Sequence, residues 1–149
     1  VQPGTREWLD QVVEEIIEPG TPIIDPHHHL WPAGRGLHYG IDDLVGDTGS
    51  GHNVVSSVFV ECHAAYRRDG PAHLRPVGET EFVAASAAQL AAEHPTAPPI
   101  VGVVAHADLT LPADQLAEVL DAHAAAAGRS FVGIRDALSS PLEPDALRI

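Results

Sequence analysis

Asp25-Pro26-His27-His28-His29 places one carboxylate and three imidazoles within five consecutive residues. Ile23-Ile24 leads into the run and Leu30-Trp31 follows it, so the polar groups ride on a short apolar segment. Neutral imidazole is a ligand for zinc and other borderline divalent ions. In an extended strand, residues two apart project to one face. His27 and His29 can therefore reach one metal ion or one substrate together, while His28 turns away to pack. The competing reading of the run is a solvated or hydrogen-bonded histidine cluster.

The same alternation recurs further along. Glu61 and His63 flank Cys62, which puts them on one face and the thiol on the other. Cys62 is then a small packing residue rather than a nucleophile. Glu61 can act as a further ligand, as a general base, or as the group that orients an imidazole. It can equally form an ion pair with an arginine such as Arg135. His106 and Asp108 repeat the spacing; the alternative there is a core histidine beside a turn-stabilising aspartate. Arg135 offers five donors in a fixed fork, suited to a carboxylate or a lactone carbonyl. Its alternative is an ion pair with Asp136 or Glu61. The candidate catalytic residues are thus Glu61, His106 and Arg135. The candidate metal ligands are His27 and His29, and no organic cofactor site is expected. His52, His73, His94 and His123 are read as surface or packing residues.

These groups need elements to hold them. Thr5 to Ile17 carries an apolar stripe of Trp8, Leu9, Val12, Val13, Ile16 and Ile17 behind a Thr N-cap, the pattern of a helix. Pro19-Gly20 ends it. Ile23 to Asp25 reads as a first strand. The long polar segment 32–52 follows, with a short helix over Ile41 to Val45; so long a connection is usually functional. Asn53 to Glu61 is a second strand, rich in β-branched residues as a strand buried on both faces is. Glu79 to Glu93 reads as a helix, Ile100 to Ala105 as a third strand, and Pro112 to Ala127 as a helix with Gly128 past its end. Phe131 to Ile134 is a fourth strand.

From the second strand on, strands and helices alternate, which implies βαβ units and a parallel sheet. In such folds ligands bind at the C-terminal ends of the strands. Those ends carry Asp25, His27 and His29; Glu61 and His63; His106 and Asp108; Arg135 and Asp136. All four strands end in ionisable residues. A (β/α)8 barrel needs about 250 residues, so the 149 residues are expected to form its N-terminal half, strands one to four preceded by a helix. The remaining half would lie in further sequence or in another chain; a smaller open sheet is the alternative.

Composition narrows the partners. The formal net charge is -13, and the eight basic residues are all Arg. That balance argues against nucleic acid and anionic membrane surfaces. No apolar run approaches the roughly 20 residues of a membrane span. The single Cys62 forms no intrachain disulfide, which suits a reducing, cytoplasmic setting. The expected partners are a small-molecule substrate and either a second copy of the chain or the other half of the barrel.

The segment Ile24-Asp25-Pro26-His27-His28-His29-Leu30-Trp31 resembles the start of the amidohydrolase-2 (amidohydrolase-related) proteins, (β/α)8 barrels of the amidohydrolase superfamily. Val58-Phe59-Val60-Glu61-Cys62, Gly78-Glu79-Thr80-Glu81-Phe82-Val83 and Phe131-Val132-Gly133-Ile134-Arg135-Asp136 are similar to later segments of that family. The resemblance runs over nearly all of residues 21–140. HHHLW and GIRD together resemble the sugar-lactonase and pyrone-dicarboxylate-lactonase branch. It implies a hydrolase that opens a lactone or related bond with metal-bound or Asp-activated water. His27 and His29 would carry over as ligands of one divalent ion, zinc by preference. The family's later histidine and last-strand aspartate base are expected outside these 149 residues. The family's carbamylated-lysine bridge on strand four is excluded here, since the sequence has no lysine. One metal, or none, remains, because some lactonases of this branch bind substrate through histidines and arginines alone. The alternatives are a metal-dependent non-oxidative decarboxylase of the same superfamily, and an inert half-barrel that needs a partner chain.

Overall fold

A computed structural model describes residues 2–3, 5–34 and 37–136. Residues 137–149, the tail of the expected domain, lie outside the described residues. Strands β1 (Pro22–His28), β2 (Asn53–Val60), β3 (Ile100–His106) and β4 (Phe131–Arg135) form one sheet in the order β1-β2-β3-β4. Every neighbouring pair is parallel. Helices α1 (Arg6–Leu9), α2 (Ile41–Thr48), α3 (Val77–Glu93) and α4 (Ala113–Ala127) precede and separate the strands. The protein is thus α/β, with each new strand added beside the last. A doubly wound sheet reverses its strand order at a switch point; these four strands contain no such reversal.

The core forms where apolar strand positions meet the helices. Phe59 of β2 and Val103 of β3 are register partners. They pack with Val83 and Leu90 of α3, and with Leu30, Leu44 and Ile100. Burying each such side chain is worth about 1.5–3 kcal/mol. Helix α3 also packs on α4. Gly128, at φ +56°, ends α4 in a backbone conformation that glycine adopts without penalty.

Strand β1 runs three residues beyond the expected Asp25, through the first two histidines. It tolerates Pro26 because it is an edge strand, and its register with β2 shifts between Asp25 and His28. The Asp25 carboxylate spans the proline by accepting the His27 N–H at 3.1 Å.

The first helix differs from expectation. Thr5 does cap it, its hydroxyl oxygen accepting the Trp8 N–H at 3.3 Å, but the helix stops after one turn at Leu9. Leu9, Val12, Val13 and Ile17 are exposed. A short helix draws its stability from packing an apolar face, and this stripe has little to pack on. The β-branched pairs Val12-Val13 and Ile16-Ile17 add a weak helix preference. Among the described residues no helix is long and apolar enough to cross a membrane.

Candidate functional site

The C-terminal ends of the four strands converge on a band of imidazole, carboxylate and guanidinium groups. At β1 the rings of His27 and His29 lie edge to face, with centroids 4.8 Å apart. His29 Nδ1 lies 2.7 Å from the Val60 carbonyl oxygen at the end of β2. A carbonyl only accepts, so the proton sits on Nδ1 and Nε2 keeps its lone pair. His28 turns the opposite way and is buried, its ring 5.9 Å from that of Phe59. Burial lowers its pKa from the ordinary histidine value, so it packs as a neutral ring.

Strand β2 ends in Glu61, which is buried. Its N–H donates to the Val104 carbonyl at 2.8 Å, continuing the β2–β3 ladder past the last strand residue. Arg135, at the end of β4, reaches over β3 to this glutamate. Its Nε donates to Glu61 Oε1 at 2.7 Å and its Nη2 donates to the Glu61 carbonyl oxygen at 2.5 Å. Of the two ion-pair partners open to Arg135, Glu61 is the one engaged. Asp136 instead accepts the Leu109 N–H at 3.0 Å. One edge of its fork serves Glu61, and the Arg135 side chain remains 42 % exposed.

His106 closes β3. Its Nδ1 lies 3.1 Å from the Arg135 carbonyl oxygen, which again places the proton on Nδ1 and leaves Nε2 free. His63 stands in the loop after β2, with Nε2 3.1 Å from Glu61 Oε2. The rings of His63 and His106 are 5.1 Å apart, and Tyr66 stacks on His106 at 6.2 Å. Asp108 accepts both the N–H and the hydroxyl of Thr110, at 2.8 and 2.6 Å. Those bonds lower its pKa and identify it as the turn-stabilising aspartate.

The loop that carries Glu61 and His63 is clamped from below by α3. Glu79 is buried, and its carboxylate accepts the N–H groups of Ala64 at 2.6 Å and Cys62 at 3.2 Å. Gly78 makes room for the loop: a Cβ there would meet Ala65 O and Arg67 N, each at 2.7 Å. The next residue, Thr80, meets His123 of α4 with Oγ1 and Nδ1 2.8 Å apart, and His123 Nε2 lies 3.0 Å from the His106 carbonyl oxygen. That carbonyl requires an N–H at Nε2, so the Thr80 hydroxyl donates to Nδ1. Burial pushes the His123 pKa below the ordinary value, which keeps the ring neutral. His123 therefore positions the backbone of His106, a role that pattern in α4 alone does not reveal. Glu79 and Gly78 are equally invisible in sequence, because their partners are main-chain groups of another element.

Cys62 fits its expected packing role. Its Sγ lies 3.6 Å from the Leu30 carbonyl oxygen and 3.5 Å from Glu79 Oε1. Burial, reinforced by the Glu79 charge, pushes its pKa up to about 12, so it stays a thiol. Beside the histidines, Trp31, Leu37, Ala64 and Arg68 line a cleft of about 600 Å3. The Trp31 ring sits 5.3 Å from that of His29.

The strand ends thus bring together all five candidate residues, in two groups. His27 and His29 form one, Glu61, His106 and Arg135 the other, and His63 joins the second. Comparison with protein-family models, with curated proteins and with solved structures returned no match.

Proposed function

We propose that this chain is four of the eight β/α units of an amidohydrolase-like barrel, and that the protein is a hydrolase that opens lactones. The observation that carries this is the convergence of His27, His29, Glu61, His106 and Arg135 at the C-terminal ends of four consecutive parallel strands. The winding of the sheet supports it, since strands added in sequence order are the way a (β/α)8 barrel grows.

The residues suit the chemistry. His29 keeps Nε2 available because Val60 holds the opposite nitrogen, and the His27 ring stands beside it. That pair fits two positions of a divalent-metal site, its remaining ligands lying outside the described strands. A bound ion there would polarise a carbonyl or lower the pKa of water. Arg135, steadied by Glu61 along one edge, directs its remaining donors outward, where a lactone carbonyl or a substrate carboxylate can accept them. His106 presents a lone pair at Nε2, competent to hold a proton in transit. The cleft under Trp31 gives a ring-shaped substrate an aromatic wall and places Arg68 at its edge.

The test is a panel of sugar lactones and aromatic carboxylates offered to the intact protein. Ring opening of lactones, lost on replacing Arg135 with Gln, is the expected result. Carbon dioxide release from the carboxylates without ring opening would replace the proposal with the decarboxylase. Neither reaction from a folded, metal-supplied protein would leave the inert scaffold.

A further inference from the structure

The geometry points to a divalent-cation site that the sequence pattern does not name: Glu61, His63 and His106, one strand over from the His27–His29 pair. The inference goes beyond the lactone reading and does not depend on it; with an ion bound, the His106 Nε2 lone pair serves the ion and no longer carries a proton. Among the described residues, this is the one group of three His, Cys, Asp or Glu residues whose donor atoms all lie within 4.8 Å of one another.

Three observations support a ligand between them. The first is an orphaned atom. The Glu61 side chain is only 6 % exposed, and its Oε2 has no hydrogen bond. His63 Nε2 stands 3.1 Å away, out of line for donation. A buried carboxylate oxygen without a hydrogen bond is costly, and a cation in the gap would satisfy it. The 3.1 Å separation is close to the ligand–ligand edge of about 3.3 Å in a tetrahedral site with bonds of roughly 2.0–2.1 Å, whereas the widest donor separation, 4.8 Å, has to contract when an ion binds.

The second is an outer shell around two of the three groups, His106 and Glu61. Ligating histidines typically donate their other N–H to a carbonyl or carboxylate, and ligating carboxylates are themselves hydrogen-bonded. His106 donates Nδ1–H to the Arg135 carbonyl, leaving Nε2 for the ion. Glu61 Oε1 is held by Arg135 Nε, leaving Oε2. His123 and Glu79 fix the backbones of His106 and of the loop bearing His63.

The third is strain. His63 has φ +62°, a left-handed conformation that non-glycine residues adopt at a cost and that clusters at functional sites. That backbone brings the imidazole Nε2 to Glu61 while the rest of the ring stays open to solvent.

Two imidazoles and one carboxylate form a ligand set used by catalytic zinc sites, which keep a further position open. The His63 side chain is 59 % exposed, so the open position would face solvent. Zinc is the ion this donor set favours.

The test uses the intact protein, dialysed against chelator and titrated with zinc, with cobalt as a spectroscopic probe. His63→Asn is the clean variant, because Asn tolerates the left-handed backbone and the side chain is largely exposed. Zinc should bind at this site whether or not a second ion is held at His27 and His29; His63→Asn should weaken it roughly tenfold or more, and His106→Asn should do the same. The double variant His27→Asn/His29→Asn should retain this site, with a cobalt spectrum unchanged in shape. Failure of the wild type to take up zinc would overturn the inference. So would uptake that survives both His63→Asn and His106→Asn, or that disappears only with the His27/His29 pair. Because no substrate is present, this outcome is independent of whether lactones are opened.

Discussion

Arg135 at the end of β4 and Glu61 at the end of β2 are joined across β3, the strand between them. One guanidinium holds both the side chain and the main-chain carbonyl of the glutamate. The same residue lends its own carbonyl to His106. Arg135 thereby ties the ends of three strands together and orders two of the groups that define the candidate site.

Removing it should be costly. Arg135→Ala leaves a buried carboxylate without its cation, a loss of about 3 kcal/mol. Arg135→Lys keeps the charge but not the fork, so recovery should be partial. Urea denaturation of the three proteins checks the order wild type, Lys, Ala; equal midpoints would refute the tie.

Glu79 should matter as much for the loop as Arg135 does for the strand ends. Its carboxylate serves two N–H groups, and bonds to charged groups are worth about 1.5–3 kcal/mol each. Glu79→Ala should lower stability by at least about 2 kcal/mol. Amide exchange at Cys62 and Ala64 should accelerate more than exchange in β3. Gly78→Ala, which drives a methyl into Ala65 O and Arg67 N, should cost about 1–3 kcal/mol.

Acid should destabilise the fold through His123. Burial lowers its pKa in the native state, so the unfolded chain takes up a proton first, near pH 6.5. Stability is therefore full above that pH and declines as pH falls below it, with a limiting slope of about 1.4 kcal/mol per pH unit for one such group. His28 adds a second contribution of the same sign. Thermal melts between pH 7.5 and 5 should show this decline, and it should be shallower in His123→Gln.

Cys62 should resist thiol reagents. With its pKa pushed to about 12 and its sulfur set between Leu30 and Glu79, it should react at pH 8 orders of magnitude more slowly in the native protein than in denaturant. Rapid native labelling would contradict the packing described.

Much of this architecture is legible in the chain itself. The β-branched run Val54-Val55…Val58-Phe59-Val60 specifies a buried strand, and Gly128 marks the end of α4. Polar residues at strand ends indicate where chemistry gathers, because period-two alternation is a property of the backbone. The N-terminal stripe follows a helical period, yet only Arg6–Leu9 is helical, since periodicity does not supply a surface to pack against. The clamps at Gly78, Glu79, Thr80 and His123 are hidden for a related reason. Each acts on a main-chain group or a side chain brought near only by the packing of α3 on α4 and under the β2 loop. That His63 shares a face with Glu61 is legible in the spacing, but its left-handed backbone and its approach to His106 are not.

The central claim is that the strand ends form a hydrolytic site, and the direct measurement is lactone opening by the intact protein, followed as proton release. The account predicts turnover on at least one sugar or pyrone-type lactone. It predicts a fall of 100-fold or more, on the order of losing one transition-state donor, in Arg135→Gln that remains folded. Undiminished turnover in that variant, or no turnover on any lactone by the folded, zinc-supplied protein, would contradict it.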